Sequence, residues 1–270
     1  FDPRRPRLGL IVSLLARDVG NTDTSIGLFE GEELVASFLV SSASNRTADE
    51  WFLIIDGFVR RAGVPAVDQV SMCCTVPALV RTFRSCFSRY FADVPLWVVG
   101  PGVRTGVPIH TDNPREVGTD RVVNALAAKE LFGGPAIVVD LNGTATVFDV
   151  IDAEGRYVGG AIAPGIEVSL DALAKRSAQL RSVEITAPRD PIGKNTVEAL
   201  QSGTVFGFAG LIDALVERMI DSLGADAGQV AVIGTGTHLA AVLDECETIT
   251  HREPKLTLKG LQMVAARNSE

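Results

Sequence analysis

Two short turns in this chain combine an aspartate with glycine and hydroxyl residues, each directly after an apolar stretch. The first follows residues 8–16 and the second follows residues 136–139. Glycine lets a backbone approach a phosphate, threonine adds hydrogen-bond donors, and a carboxylate can hold magnesium. The turns therefore indicate a site for a phosphorylated ligand such as a nucleoside triphosphate. Their residues are Asp18, Val19, Gly20, Asn21, Thr22, Asp23, Thr24 and Ser25 in the first, and Asp140, Leu141, Asn142, Gly143 and Thr144 in the second.

Each turn leads into a pattern that is typical of a β-hairpin. Strands are predicted over 25–29 and 34–40 after the first turn, and over 147–151 and 157–162 after the second. Asp-x-Gly sequences are also common in ordinary hairpin turns, so one copy alone is not specific. Two copies in matching contexts favour a duplicated nucleotide-binding fold.

A second group of chemically versatile residues precedes the apolar helical segment 122–132. Asp120 can accept a proton from a hydroxyl group, and Arg121 can bind a carboxylate or phosphate with its planar guanidinium. Gly118 and Thr119 would add backbone donors near a helix N-terminus, where anions are favoured. From these residues alone, an Asp120 that simply caps the helix is the simpler interpretation.

Three further segments have two interpretations each. Residues 159–165 form either a loop close to a ligand or a strand that crosses another backbone. Residues 193–196 present polar groups to a substrate or only cap a helix. The Gly-x-Gly at 234–236 follows a core strand, but this pattern alone is weak support for a nucleotide site.

Arg17 conflicts with its context, because it lies at the end of an apolar strand immediately before Asp18. We expect its side chain to reach solvent. The alternative is a partnership with a nearby carboxylate or phosphate.

Composition excludes several classes of protein. The chain has 270 residues, 46% of them hydrophobic, and a net charge of −8, which argues against non-specific binding to nucleic acid or anionic membranes. No stretch is predicted to be long enough to span a membrane. Four cysteines without a C-x-x-C pair and three histidines argue against structural zinc and favour a reducing, cytoplasmic compartment.

The first residues have two interpretations. A basic, proline-rich segment over 1–7 followed by apolar residues 8–16 is typical of a signal peptide. However, the apolar run continues into the Asp18 turn without a small-residue cleavage site, so we favour a first strand over 8–17.

Strands alternate with helices along the rest of the chain, which predicts α/β layers. We divide the chain into an N-terminal α/β domain over 1–125 and a C-terminal one over 126–270. The remaining predicted strands are 67–74, 95–99, 136–140, 230–233 and 247–250, and the predicted helices are 48–62, 77–91, 122–132, 166–178, 196–223, 238–244 and 257–267.

Taken together, these segments resemble the type III pantothenate kinases, and the matches run in family order over roughly residues 10–268. The resemblance implies two related actin-like (ribonuclease H-like, hexokinase-like) domains with ATP in the cleft between them. It also implies a homodimer whose active sites lie near the interface. The matching segments are 18–22, 46–50, 101–106, 112–118, 120–121, 159–165 and 193–198.

The family activity that the resemblance implies is the ATP-dependent phosphorylation of pantothenate, the first step of coenzyme A synthesis. It would use magnesium (Mg²⁺) and a monovalent cation, potassium (K⁺) or ammonium (NH₄⁺). By motif position, residues 18–25 would cradle the ATP phosphates with Asp18 near magnesium, Asp140 would hold the monovalent cation, and Thr144 would touch ATP. Asp120 would accept the proton, and the substrate-binding residues would be Thr111, Gly118, Thr119, Asp120, Arg121 and Thr196.

The chain departs from the family pattern at four places. The turn at Asp140 is one residue longer than the usual Asp-Phe-Gly-Thr, and Thr111 stands where the family often has tyrosine. Arg17 replaces an aliphatic residue, and the chain begins about ten residues earlier. Two alternatives therefore stay open: a relative that phosphorylates another small alcohol, and a non-catalytic regulator on the same fold.

Overall fold

The structure, a computed structural model, describes residues 12–176, 183–236 and 240–269. The chain forms two compact units, each of which is discontinuous in sequence. The first comprises the described residues up to Gly106, then Arg115–Ala127 and the chain from Thr257 onward. The second comprises Val107–Pro114 and Ala128–Leu256. The predicted boundary between residues 125 and 126 stays a prediction.

The first unit contains a five-stranded sheet in the order β3-β2-β1-β4-β5. β1 pairs antiparallel with β2 and parallel with β4, so it lies at the centre of the sheet. The elements are β1 (Ser13–Val19), β2 (Asp23–Glu30), β3 (Glu33–Ser41), α1 (Ala48–Arg61), β4 (Gln69–Cys74), α2 (Pro77–Tyr90), β5 (Leu96–Val98), a short 3-10 helix (Pro114–Glu116) and α3 (Thr119–Phe132), which belongs to the second unit from Ala128 onward.

Local sequence explains where the helices of this unit begin. The Thr47 hydroxyl accepts a hydrogen bond from the Glu50 amide, and the Glu50 carboxylate accepts one from the Thr47 amide, which forms a capping box before α1. α2 begins at Pro77. Proline is tolerated there because a backbone N–H in the first turn has no acceptor within the helix. Both helices contribute aromatic rings such as Trp51 and Phe83 to the core of the unit.

The second unit repeats this arrangement in a sheet of order β10-β9-β6-β7-β8. β6 occupies the place of β1, because it pairs antiparallel with β7 and parallel with β9. The elements are β6 (Ala136–Asp140), β7 (Ala145–Ile151), β8 (Tyr157–Pro164), α4 (Ile166–Arg176), α5 (Thr196–Leu223), a 3-10 helix (Ala227–Gln229), β9 (Ala231–Thr235), α6 (Ala240–Leu243) and β10 (His251–Arg252). The last helix, α7 (Leu256–Ser269), belongs to the first unit from Thr257 onward. The predicted duplicated α/β fold is confirmed.

Some predicted element positions are wrong. The strand expected over 247–250 is found at His251–Arg252, because the Asp213 carboxylate engages the amides of Glu247 and Thr248. Residues 163–164, which lie beyond the predicted strand 157–162, belong to β8. The parts of the predicted first strand and of two predicted helices at residues 8–11, 177–178 and 238–239 lie outside the described residues.

Helix α5 contradicts the expectation that no stretch could span a membrane. By length and composition it could do so, with a mean hydropathy of 1.4 in its most apolar window. The core helix of a soluble protein meets the same criteria, and one face of α5 contributes Val205, Ile212 and Val216 to the core of the second unit.

Candidate functional site

The Asp18 turn connects the central strand β1 to β2. The Gly20 amide donates to the Asp23 carbonyl at 3.0 Å, which closes the turn and leaves Asn21 and Thr22 exposed at its tip. Val19 and Thr24 are fully buried. Within the predicted segment 18–25, the exposed tip and the backbone amides are therefore the groups that can meet a phosphate.

Asp18 lies beside Cys73 because β1 and β4 are parallel and pair these two residues in register. Side chains paired in this way project from the same face of a sheet. The Cys73 thiol donates a hydrogen bond to Asp18 Oδ1 at 3.3 Å. Burial raises the pKa of this thiol well above its usual value, and the charges of Asp18 and Asp120 raise it further. Asp18 and Asp120 thus both lie near the same buried sulfur.

Asp120 occupies the second position of α3, which begins at Thr119. Burial raises the pKa of its carboxyl above the usual range, although the Arg121 and Asp120 amides and the Arg121 charge act in the opposite direction. Its buried Oδ1 has no hydrogen-bond partner among the described residues, and neither has the Thr119 hydroxyl. An unpartnered, buried carboxylate oxygen of raised pKa suits a group that takes a proton from a bound hydroxyl.

The Asp120 carboxylate occupies space that is free because residue 118 is a glycine without a side chain. A Cβ at position 118 would lie 2.5 Å from Asp120 Oδ1. A side chain at this position would therefore displace the Asp120 carboxylate.

The Asp140 turn in the second unit is held by different contacts. The Asn142 amide donates to Asp140 Oδ1 at 2.9 Å, so this carboxylate closes its own turn. The Leu141 amide donates to the Thr235 carbonyl at 3.1 Å, and the Gly165 amide donates to the Thr144 carbonyl at 2.9 Å. Thr144 itself is exposed.

Two predicted substrate residues, Thr111 and Thr196, also belong to the second unit. Thr111 follows a segment that runs beside β8, where the His110 amide donates to the Tyr157 carbonyl at 2.8 Å. The buried Thr111 hydroxyl has no partner within the described part of the chain. Thr196 is exposed at the first position of α5, and Asn195 caps this helix by accepting from the Glu198 amide, as the capping interpretation predicted.

Glycine-rich residues 159–165 lie mainly in β8 rather than in a loop. Gly159 and Gly160 line a cavity of about 500 Å³ that Val150, Asp152, Val158, Met219, Ser222 and Leu223 complete. The segment is therefore a strand and not a loop, but two of its glycines border a cavity that could hold a ligand.

Arg17 contradicts the expectation that its side chain reaches solvent. It is completely buried, and none of its three side-chain nitrogens has a hydrogen-bond partner among the described residues. Its guanidinium instead lies 3.6 Å from the Phe83 ring centroid and 5.1 Å from that of Trp51. Burial lowers its pKa to about 9. The residue points away from Asp18 because successive side chains of a strand alternate between the two faces of a sheet.

Sequence reasoning also missed the contact between Cys73 and Asp18. The available signal was the pairing of β1 with β4, since parallel neighbours in a βαβ arrangement bring both strand ends to one edge. Cys73 itself is a free, buried thiol.

The described residues contain no group of three or more histidine, cysteine or acidic side chains that could hold a metal ion.

The repeated order of three antiparallel strands followed by alternating helices and parallel strands defines an actin-like, hexokinase-type fold. The ROK hexokinase from Thermus thermophilus has this fold, with a TM-score of 0.52 at 14% sequence identity over 96% of this chain and 99% of that one. The class is therefore that of proteins with an actin-like, hexokinase-type fold.

Sequence comparison identifies the family within this class. The family model for type III pantothenate kinase matches residues 14–218. Proteins named type III pantothenate kinase from Thermobifida fusca and Nocardioides sp. are 54% and 52% identical over 258 and 256 residues, which is 95% of this chain and 100% and 99% of those relatives. The chain belongs to the type III pantothenate kinase family.

Proposed function

We propose that this protein transfers a phosphoryl group from ATP to the primary hydroxyl of pantothenate, which yields 4′-phosphopantothenate for coenzyme A synthesis. The observation that carries this proposal is membership of the family over nearly the whole chain. The buried Asp120 Oδ1, which has no hydrogen-bond partner among the described residues, supports it, because an alcohol kinase needs a proton acceptor for the attacking hydroxyl.

In this proposal Asp120 accepts the proton of the attacking hydroxyl as the new P–O bond forms and the bond between the γ-phosphorus and ADP breaks. Such a base typically contributes roughly 10²–10⁴-fold to the rate. Arg121 binds the pantothenate carboxylate, since a guanidinium forms strong paired hydrogen bonds with a carboxylate. Thr119 orients the substrate with its buried hydroxyl, and Gly118, Thr111 and Thr196 complete the proposed substrate set.

The turn over residues 18–25 would bind the ATP phosphates through its backbone amides and the exposed Thr22 hydroxyl. Asp18 would hold magnesium, which when bound neutralises charge on the transferred phosphoryl group. In the second unit, Asp140 would bind potassium or ammonium, and Thr144 would contact ATP. Asp18 and Asp140 would thus bind cations, whereas Asp120 would accept the proton.

We further propose a homodimer in the cytoplasm. The four cysteines are all free thiols, as expected of a protein in a reducing compartment. Sedimentation of the purified protein measures the oligomeric state, and a monomer at micromolar concentration would contradict the dimer.

The first experiment measures ADP release with ATP, magnesium and pantothenate, with and without potassium or ammonium, beside Asp120→Asn. We expect cation-dependent turnover that falls by roughly 10²–10⁴-fold in the variant. Thermal unfolding of the variant is the control for folding. If the protein binds ATP but does not phosphorylate pantothenate under any of these conditions, the proposal is refuted.

A second candidate function is phosphorylation of a different small alcohol. It is favoured by Thr111, whose short side chain stands where family members often have tyrosine and whose buried hydroxyl lacks a partner in the described chain. The same ADP assay with a panel of alcohols separates the candidates, because activity confined to pantothenate eliminates the second one. Turnover that depends on Asp120 would also exclude a purely regulatory role.

A further inference from the structure

Cys73 is placed by the sheet itself against the carboxylate of the first turn. It is the last but one residue of β4, it is paired in register with Asp18, and it is completely buried. Its thiol donates to Asp18 Oδ1 at 3.3 Å. The contact joins residues 55 positions apart in sequence, so it depends on strand pairing and not on the local turn.

The same thiol is close enough to Asp120 for the two groups to interact electrostatically. Because the Cys73 thiol is neutral, it can restrain the Asp18 carboxylate without adding a charge beside Asp18 or Asp120. A lysine or arginine here would form an ion pair and oppose the binding of a cation, whereas an aliphatic residue would leave the buried side of Asp18 without this donor.

The duplicated sheet provides an internal comparison. In the second unit, the residue paired in register with Asp140 on the parallel neighbour strand is Thr235, which is also buried. Both copies thus place a neutral side chain with a polar hydrogen beside the aspartate that ends the central strand. Thiol and hydroxyl differ in donor strength but share this chemistry.

We propose that Cys73 is a positioning residue that fixes the Asp18 carboxylate for binding of the magnesium–ATP phosphates. This inference rests on the proposed role of Asp18. Restricting rotation of a carboxylate before the ligand arrives lowers the entropy lost on binding. The effect should therefore concern the nucleotide and its cation more than pantothenate.

The chain offers a matched control in the adjacent Cys74. Its thiol donates to the Val76 carbonyl, also at 3.3 Å, and not to a carboxylate. We expect Cys73→Ala to lower kcat/KM for magnesium–ATP by about 3- to 10-fold, with KM for pantothenate within about twofold of the wild type. Cys73→Ser, which retains a donor, should restore the value to within about twofold, and Cys74→Ala should leave it unchanged.

Vibrational spectroscopy tests the contact without any turnover. The S–H stretching band of each thiol is isolated by infrared difference between the wild type and the corresponding alanine variant. We expect the Cys73 band at lower frequency than the Cys74 band, because a carboxylate is a stronger acceptor than a backbone carbonyl. Addition of magnesium and ATP should shift the Cys73 band and leave the Cys74 band in place.

The outcomes separate this inference from the proposed function. A wild-type protein inactive on pantothenate refutes the function, whereas the infrared comparison still tests the thiol contact. A Cys73 band at or above the Cys74 frequency overturns the inference. So do Cys73→Ala kinetics equal to those of the wild type, or a serine variant no better than the alanine variant.

Discussion

The two aspartate turns share one backbone plan but hold their carboxylates in different ways. Asp18 is paired with Ser25 and Asp140 with Val147, seven positions further along the chain in each copy. Asp18 accepts a hydrogen bond from Cys73 on the neighbouring strand, whereas Asp140 accepts one from Asn142 in its own turn. The two copies thus share the register while their side-chain contacts differ, and this difference fits the proposed division in which Asp18 serves the phosphates and Asp140 a cation.

The residue before each aspartate shows a second difference. Arg17 and Val139 are both completely buried, but only Val139 is apolar. The first core accommodates its guanidinium by surrounding it with the rings of Trp51, Phe83 and Phe87. The comparison shows that a duplicated core can tolerate a charge at a position where its partner copy has an aliphatic side chain.

The largest expected effect distinguishes the two carboxylates directly. Asp18→Asn should lower kcat/KM for magnesium–ATP by about 10²-fold or more, because a charge near the transferred phosphoryl group is lost. Asp140→Asn should instead raise the potassium or ammonium concentration for half-maximal activity by about 10-fold. Steady-state kinetics at varied magnesium and varied monovalent cation measure both. Equal responses of the two variants to both ions would contradict the division of roles.

Glycine substitutions beside the two sites should separate an effect on chemistry from an effect on folding. Gly118→Ala places a Cβ against the movable Asp120 carboxylate, and a displacement of this kind can lower kcat by about 10²-fold with little change in stability. In the second unit, a Cβ at Gly165 would lie 2.5 Å from the Gly143 carbonyl oxygen, which is backbone. Gly165→Ala should therefore lower the free energy of unfolding by about 1–3 kcal/mol.

Kinetics and thermal unfolding of both variants provide the test. The contrast fails if Gly118→Ala is fully active, or if Gly165→Ala is as stable as the wild type.

The smallest expected effect concerns the residues before the aspartates. Three cation–π contacts stabilise Arg17, each by up to about 2 kcal/mol when desolvated, but burying an ion costs several kcal/mol. We expect Arg17→Met to raise the free energy of unfolding by about 1–3 kcal/mol. By contrast, Val139→Ala should lower it by about 2 kcal/mol because it opens a cavity.

The pH dependence of unfolding sharpens this test. Burial lowers the pKa of Arg17 to about 9 in the folded protein, well below that of an unperturbed arginine. The cost of burying the charge is therefore complete below about pH 9 and declines as the pH rises from there. Urea unfolding should show a constant advantage of Arg17→Met at neutral pH that shrinks above pH 9. A methionine variant less stable than the wild type would mean that the ring contacts outweigh desolvation.

The sequence by itself determined the repeated plan of this protein and its family. Two Asp-Gly-Thr turns after apolar runs, each followed by alternating hairpin residues, specify the central strands and their antiparallel neighbours, because these patterns are local. Caps at Thr47 and Asn195 likewise set helix starts through contacts within four residues. The ordered motifs were sufficient for the family assignment.

Only the tertiary structure decided how individual side chains are used. The sequence could not place Cys73 against Asp18, bury Arg17 among three rings, or leave Asp120 Oδ1 without a partner among the described residues. These outcomes depend on which strands become parallel neighbours and which face of each strand the helices cover. Such contacts join residues far apart in the chain, so the local patterns that specify strands and turns carry no record of them.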